Sequence, residues 1–540
     1  MRKYLVVIIT NNTIFKYSDE RDFDLGIIYT GSHSHSGSYL ESCEYILNIN
    51  HEYNNNKWEL IQLFINNNNN NINKYKYIWF PNNEQMDQKD INQLFKLADS
   101  NNYDLCSPSL SIPDFDKIRE LNIDISRLTQ SDLIKLIKNN KNLKPILESF
   151  FYKIHTYDLI KTDLNLNISR KTDFIDLEFP LFKISAFNKI SKYLNNNIIK
   201  YGFGLDTIWN KIIKNKYIID NITIIITQNS PFLMALNRDY ENITPTYVQE
   251  KRELLRYYNF IKKYLTIVPT GDNTYHDFSN KKLRNFDVAI IYFNDNTKCE
   301  KIFREQSEYF FKQKAPKWKL IKQVLPFLDW QLYDYIWIPD DDLVISIENI
   351  NKMFEIAEEN KLQLCQPAVA IPDMAFDKVQ EILKLLPNNN NTNSVTPLYD
   401  LRKKYPEKEI DINKILYRVS YPSLIRKFHK HEIRKADIIE IQMPLFSRQM
   451  LKQLYKYITD DIVNTGFGLD ILWSKIIKDK YVIDYIEVEH MRDTGFGKYE
   501  KYLKGKLELD QVPEQYRNLD INPKSETNQL LDKFKINLNN

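Results

Sequence analysis

The chain has 540 residues, 43% of them hydrophobic, and its 74 basic and 71 acidic side chains leave a net charge of +3. That length exceeds one ordinary core, so two or more domains are expected, and only 11 glycines exclude fibrous and linker-dominated classes. Near balance of charge, with no basic block, argues against a nucleic-acid partner.

The first residues, MRKYLVVIITNN, combine a basic start with a short apolar run. The run is too short for a membrane span and lacks a small-residue cleavage site. A similar run, Tyr264 to Thr270 (YLTIVPT), lies in mid-chain, so Tyr4 to Thr10 is expected to be a first β-strand. No transmembrane segment is read elsewhere, and a cytoplasmic protein is expected.

From there the chain states one pattern and repeats it. Phe23 to Tyr29 (FDLGIIY) is matched by Phe286 to Tyr292 (FDVAIIY), and Lys57-Trp58 by Lys317-Trp318. Tyr75 to Gln85 (YKYIWFPNNEQ) is matched by Tyr333 to Leu343 (YDYIWIPDDDL). Phe179 to Phe182 (FPLF) returns as Met443 to Phe446 (MPLF), and GFGLD occurs at Gly202 to Asp206 and at Gly466 to Asp470. The order is collinear, which points to tandem domains, not a solenoid. The boundaries expected are 1–250, 251–505 and a polar tail over 506–540 that has no partner in the first copy, with one docking helix as an alternative within it.

Within a copy, strands alternate with helical periods. Val288 to Tyr292 precedes Trp318, Ile321, Val324/Leu325 and Leu328, after which comes the strand Tyr335 to Ile338. A further helix carries Ile350, Met353/Phe354 and Ala357. Ser447 is placed to cap another with Leu451, Leu454 and Ile458 inward. This alternation predicts an α/β fold with two mainly parallel sheets, whose ligands sit at the carboxyl ends of strands. Lys117 to Lys171 and Leu385 to Lys435 differ between copies and read as inserted lids or acceptor-side elaborations. The runs Asn66 to Asn71 and Asn388 to Asn391 read as surface loops. Cys43, Cys106, Cys299 and Cys365 fall at two positions seen twice, so free thiols in a reducing compartment are expected.

The chemistry concentrates where the copies differ. Asp340 and Asp342, at the end of an apolar strand, have the D-x-D spacing that turns two carboxylates to one side, suited to a hard divalent cation. An acidic turn or helix cap is the plainer reading. The rigid Ile-Trp-Ile-Pro run before them favours the metal. The first copy has Asn82, Asn83 and Glu84 there instead. His490 closes the late strand of the second copy (YVIDYIEVEH), while the matching Tyr217 to Thr227 holds no histidine. Aspartates and histidine absent together fit one shared function. His33, His35, His429 and His431 sit in polar contexts and read as solvated, with metal binding as the weaker alternative.

Asp470 in GFGLD has two open roles, helix cap or general base, and Asp206 in the first copy supports the former. Thr270, at the end of the first strand of the copy, and Asp295, after the second, lie where a nucleotide would contact the sheet. Lys317 is placed to meet phosphate, with a surface lysine as the alternative. Asp341 faces away from the metal and is assigned with them to the nucleotide.

Taken together, FDVAIIYFND, KWKLIKQVL, YDYIWIPDDDL, LQLCQPAVAIPD, IEIQMPLFSRQ, GFGLD and VIDYIEVEH make the second copy resemble the domain-of-unknown-function 707 family. The likeness covers most of Tyr264 to Gly497. It implies a GT-A-like, Rossmann-like fold and a glycosyltransferase. The family's acidic triplet falls on Asp340, Asp341 and Asp342, and Mn²⁺ or Mg²⁺ would be held by Asp340, Asp342 and His490. The expected reaction moves a sugar from a nucleotide-sugar, a UDP-sugar before others, to a glycan, protein or small-molecule hydroxyl. Asp470 would take the acceptor proton, giving inversion, and the first copy would be non-catalytic. A glycan-binding or assembly protein on the same fold is the main rival. A sugar nucleotidyltransferase is a weaker one, because Thr270-Gly271-Asp272 is not a Gly-rich, Arg/Lys-bearing loop.

Overall fold

A computed structural model describes residues 2–10, 17–31, 43–49, 57–81, 86–111, 168–194, 198–199, 202–225, 245–372, 374–386, 396–419, 421–426, 432–491, 508 and 523–534. The chain forms two compact units, Met1–Phe260 and Ile261–Asn540.

In the first unit the strands are β1 (Tyr4–Thr10), β2 (Phe23–Tyr29), β3 (Tyr45–Asn48), β4 (Tyr77–Trp79), β5 (Leu105–Ser111), β6 (Arg170–Lys171), β7 (Leu181–Lys183) and β8 (Lys216–Ile225). They form one sheet in the order β3-β2-β1-β4-β7-β5-β8-β6. Pairing is parallel from β3 to β4 and between β5 and β8, while β7 runs against both its neighbours.

The second unit contains β9 (Tyr264–Thr270), β10 (Phe286–Tyr292), β11 (Tyr309–Lys312), β12 (Tyr335–Trp337), β13 (Leu343–Val344), β14 (Leu364–Val369), β15 (Ile433–Lys435), β16 (Leu445–Ser447) and β17 (Lys480–His490). Its order is β11-β10-β9-β12-β16-β14-β17-β13, with β15 also on β17. Strands β11, β10, β9 and β12 are parallel, as are β14 and β17, and β16 is reversed between β12 and β14. Every residue of β9 and β10 is buried. Near-continuous apolar strands of this kind belong to parallel sheets covered on both faces. The expected α/β class with two mainly parallel sheets is therefore what the chain forms.

Helices follow the expected faces. Ile350, Met353, Phe354 and Ala357 are buried on Ile347–Glu359. Ser447 caps Arg448–Ile458 by accepting from Met450 N at 3.1 Å. The helix begun by Lys317 is shorter than its periodicity suggests. It ends at Val324, and a 3₁₀ turn with Pro326 carries Leu325 onward.

Three expectations fail. Asn66 to Asn71 is not a loop but the last part of the helix Lys57–Ile72. Buried Phe64, Ile65 and Ile72 bracket the run and hold these poor helix formers in place. Asn388 to Asn391 lies outside the described residues. The stretch expected to be a polar tail contains the helix Pro523–Lys533, which buries Glu526, Leu530 and Leu531. It has a partner in the first unit: the helix Pro245–Tyr257 buries Glu250, Leu254 and Leu255 at the same spacing. The expected boundary at 250/251 cuts that helix, which lies wholly within the first unit.

None of the four cysteines forms a disulfide among the described residues, Cys106 and Cys365 being buried and Cys43 and Cys299 half-buried. No helix among the described residues is long and apolar enough to cross a membrane.

Candidate metal centre

The centre is assembled by two short pairings. Beyond β12 the backbone is pinned to the segment before β16, with Ile338 N donating to Pro444 O at 3.0 Å and Asp340 N to Gln442 O at 2.8 Å. The buried Trp337 indole donates to Met443 O at 3.1 Å, so the strand end cannot swing. The chain then turns through the aspartates into β13, where Leu343 pairs with His490 on β17. Met491 N closes the turn on Asp342 O at 3.0 Å.

The result brings one ligand atom each of Asp340, Asp342 and His490 within 4.8 Å of one another. Asp342 and His490 are buried, and His490 Nε2 lies 3.2 Å from Asp342 Oδ2. Two carboxylates and an imidazole form an oxygen and nitrogen donor set that suits Mn²⁺ or Mg²⁺.

Burial pushes the Asp340 carboxyl up, against the opposing pull of Lys317. Burial pushes His490 down, but the hydrogen bond to Asp342 and the charges of Asp342, Asp340 and Glu440 outweigh it and hold the imidazole above its ordinary value. A proton on His490 thus answers the same carboxylates that a cation would.

Lys317 was expected to meet phosphate. Its ammonium instead donates to Asp340 Oδ1 at 2.6 Å and to Ile338, Ile441 and Gln442 carbonyls at 2.8–2.9 Å. An ammonium has only three protons to give. Lys57 in the first unit does the same, donating to Leu177 O at 3.0 Å and Glu178 O at 2.6 Å. The lysine is an internal strut, and burial lowers it from its ordinary value.

The other expected nucleotide contacts make the following bonds within the chain. Thr270 is buried, with its hydroxyl donating to Val268 O at 3.2 Å. Asp295 is exposed and pairs with Lys314 at 2.7 Å. Asp341 is not among the clustered ligands, and its carboxylate accepts from Gly271 N at 2.9 Å. A Cβ on Gly271 would stand 2.8 Å from the Phe293 ring, so this close approach requires glycine.

Asp470 is not a helix cap. Gly468, at φ 91°, caps Leu469–Ile476, and Asp470 is the second residue of its first turn, with Oδ1 accepting from its neighbour Ile471 N at 2.9 Å. Tyr421, from the segment expected to be an acceptor-side elaboration, donates to Asp470 Oδ2 at 3.3 Å. Burial pushes the Asp470 carboxyl up to about 6. A carboxylate so placed titrates in the range useful to a general base.

No family model and no curated protein matches the chain. Among solved structures, S. aureus TarS 1–349 in complex with UDP-GlcNAc is similar over 51% of this chain and 71% of its own, at 10% identity and a TM-score of 0.27. Glucosyl-3-phosphoglycerate synthase from Mycobacterium tuberculosis, in complex with Mn²⁺, UDP and phosphoglyceric acid, is similar over 49% of this chain and 84% of its own. There the identity is 11% and the TM-score 0.25.

Three contributors escaped the sequence. His276 is buried, its Nε2 is 2.7 Å from Asp340 O, and burial lowers it to about 4. Tyr421 and Glu526 were not singled out either. Only Glu526 left a signal, the Glu-x-x-x-Leu-Leu spacing shared by Glu250 and Glu526. In the first unit, Asn82, Asn83 and Glu84, the position matching His490, and His33 and His35 lie outside the described residues. So do His429 and His431 in the second.

Proposed function

We propose that the second unit is a GT-A-like glycosyltransferase of the domain-of-unknown-function 707 type. It moves a sugar from a nucleotide-sugar, a UDP-sugar before others, to a hydroxyl acceptor with inversion. The first unit is a degenerate copy left by tandem duplication. The observation that carries this reading is the convergence of Asp340, Asp342 and His490 within 4.8 Å beyond a parallel strand.

Asp340, Asp342 and His490 are the residues that hold Mn²⁺ or Mg²⁺. A cation bound there supplies positive charge to the diphosphate of the leaving group. Lys317 fixes Asp340 against three backbone carbonyls and keeps its carboxylate in the site. Asp470, ionised above about pH 6, takes the proton of the acceptor hydroxyl at its carboxylate. Tyr421 holds that carboxylate by its hydrogen bond to Oδ2.

The test is calorimetry with Mn²⁺ and UDP, followed by turnover of UDP-sugars. Asp342→Ala is expected to lose Mn²⁺ binding and Mn²⁺-dependent release of UDP together. A variant that binds Mn²⁺ as tightly as the parent sinks the metal assignment. An unaltered chain without metal-dependent UDP binding favours the glycan-binding scaffold.

A further inference from the structure

We infer that Glu526, on the helix Pro523–Lys533, is a positioning residue that sets the Asp470 loop for the reaction proposed above. The role of Asp470 rests on that reading, and the latch itself rests on geometry. Glu526 is 2% exposed and gathers the loop from below. Its Oε1 accepts from Asn464 N at 3.0 Å, Thr465 N at 3.0 Å and Gly466 N at 2.9 Å. Its Oε2 accepts from Thr465 N at 3.1 Å and Thr465 Oγ1 at 2.8 Å. Successive amides converging on one carboxylate form an anion nest, here filled from within the chain.

The loop has no slack on its other sides. Gly466 has φ 88°, and a Cβ there would fall 2.2 Å from the Trp318 ring. A Cβ on Gly468 would meet Thr527 Cα at 3.0 Å. The loop is thus clasped between Trp318 and the helix that bears Glu526. Trp318 follows Lys317, the strut of Asp340, so one helix start registers both the metal ligand and the loop leading to Asp470. The helix Leu469–Ile476 begins directly after Gly468, so a shift of the loop is passed to the Asp470 carboxylate.

The first unit provides an internal control, since Glu250 Oε1 accepts from Gly202 N at 2.9 Å. It offers the same carboxylate-to-glycine contact in a unit without the Asp340, Asp342 and His490 set.

The experiment compares Glu526→Gln, the milder Glu526→Asp and Glu250→Gln in the full chain. In amide hydrogen exchange, Glu526→Gln is expected to speed exchange over 464–472 at least about tenfold, while Glu250→Gln leaves that stretch unchanged. With UDP-glucose and Mn²⁺, Glu526→Gln is expected to lower kcat on the order of 10²-fold at unchanged KM, as for a misplaced catalytic group. Glu526→Asp recovers part of the loss, and Glu250→Gln keeps the parental kcat. Unchanged protection over 464–472 in Glu526→Gln, or parental kcat in an active chain, overturns the inference. If no donor is turned over yet the loop loosens, the latch is supported and the transferase reading is what fails.

Discussion

Asp470 and His490 are buried titratable groups pushed the same way, and their pH behaviour separates their roles. Burial raises the Asp470 carboxyl to about 6, so kcat is expected to fall as pH drops through about 6 and to be flat above it. A carboxyl raised on folding contributes stability below its ordinary range that is lost as pH rises through 6. Asp470→Asn is therefore expected to gain on the parent by about 2–3 kcal/mol between pH 4 and pH 8, at 1.36 kcal/mol per pKa unit, while losing turnover. Urea unfolding at the two pH values checks this. His490 must give up its proton to take a cation, and Asp342 holds that proton above the ordinary 6.5. Mn²⁺ affinity is thus expected to climb as pH rises through and above that value, with proton release seen by calorimetry in two buffers. Asp340, Asp342 and His490 were legible in the sequence because a second copy lacks them. The fate of Lys317 was not, because two of its three carbonyl partners come from residues more than a hundred positions away.

At the scale of elements, patterning was legible where one face decides and failed where a partner decides. The apolar strands and the Ser447 cap follow from local residues, and Ser447→Ala is expected to cost about 1 kcal/mol. The asparagine run was misread because its helicity is imposed by Phe64, Ile65 and Ile72, and composition alone carries no such information. The GFGLD loops show how strictly a partner decides. Gly466→Ala and Gly202→Ala each place a methyl in a left-handed backbone against an indole. Each is expected to destabilise its own unit by about 2–4 kcal/mol in thermal unfolding. The helix Pro523–Lys533 was legible only as one docking helix in a polar tail, and its buried Glu526, Leu530 and Leu531 mark it as part of the unit.

At the scale of the molecule, the two units share one strand order from β3 to β8 and from β11 to β17, and among the described residues the one candidate metal cluster lies in the second. All three candidate metal ligands, and the strands that carry them, lie within 261–540. That segment expressed alone is expected to bind Mn²⁺ with the affinity of the full chain. A tenfold weaker affinity by calorimetry would assign part of the site to the first unit. The latch adds an order of assembly. Glu526 follows the loop that it holds by 60 positions, and Asp340, Asp342 and His490 all precede it. All three candidate metal ligands therefore leave the ribosome before the residue that holds the loop of the proposed base. On the proposed function, a chain clipped before Glu526 is expected to bind Mn²⁺ in calorimetry without turning over a nucleotide-sugar.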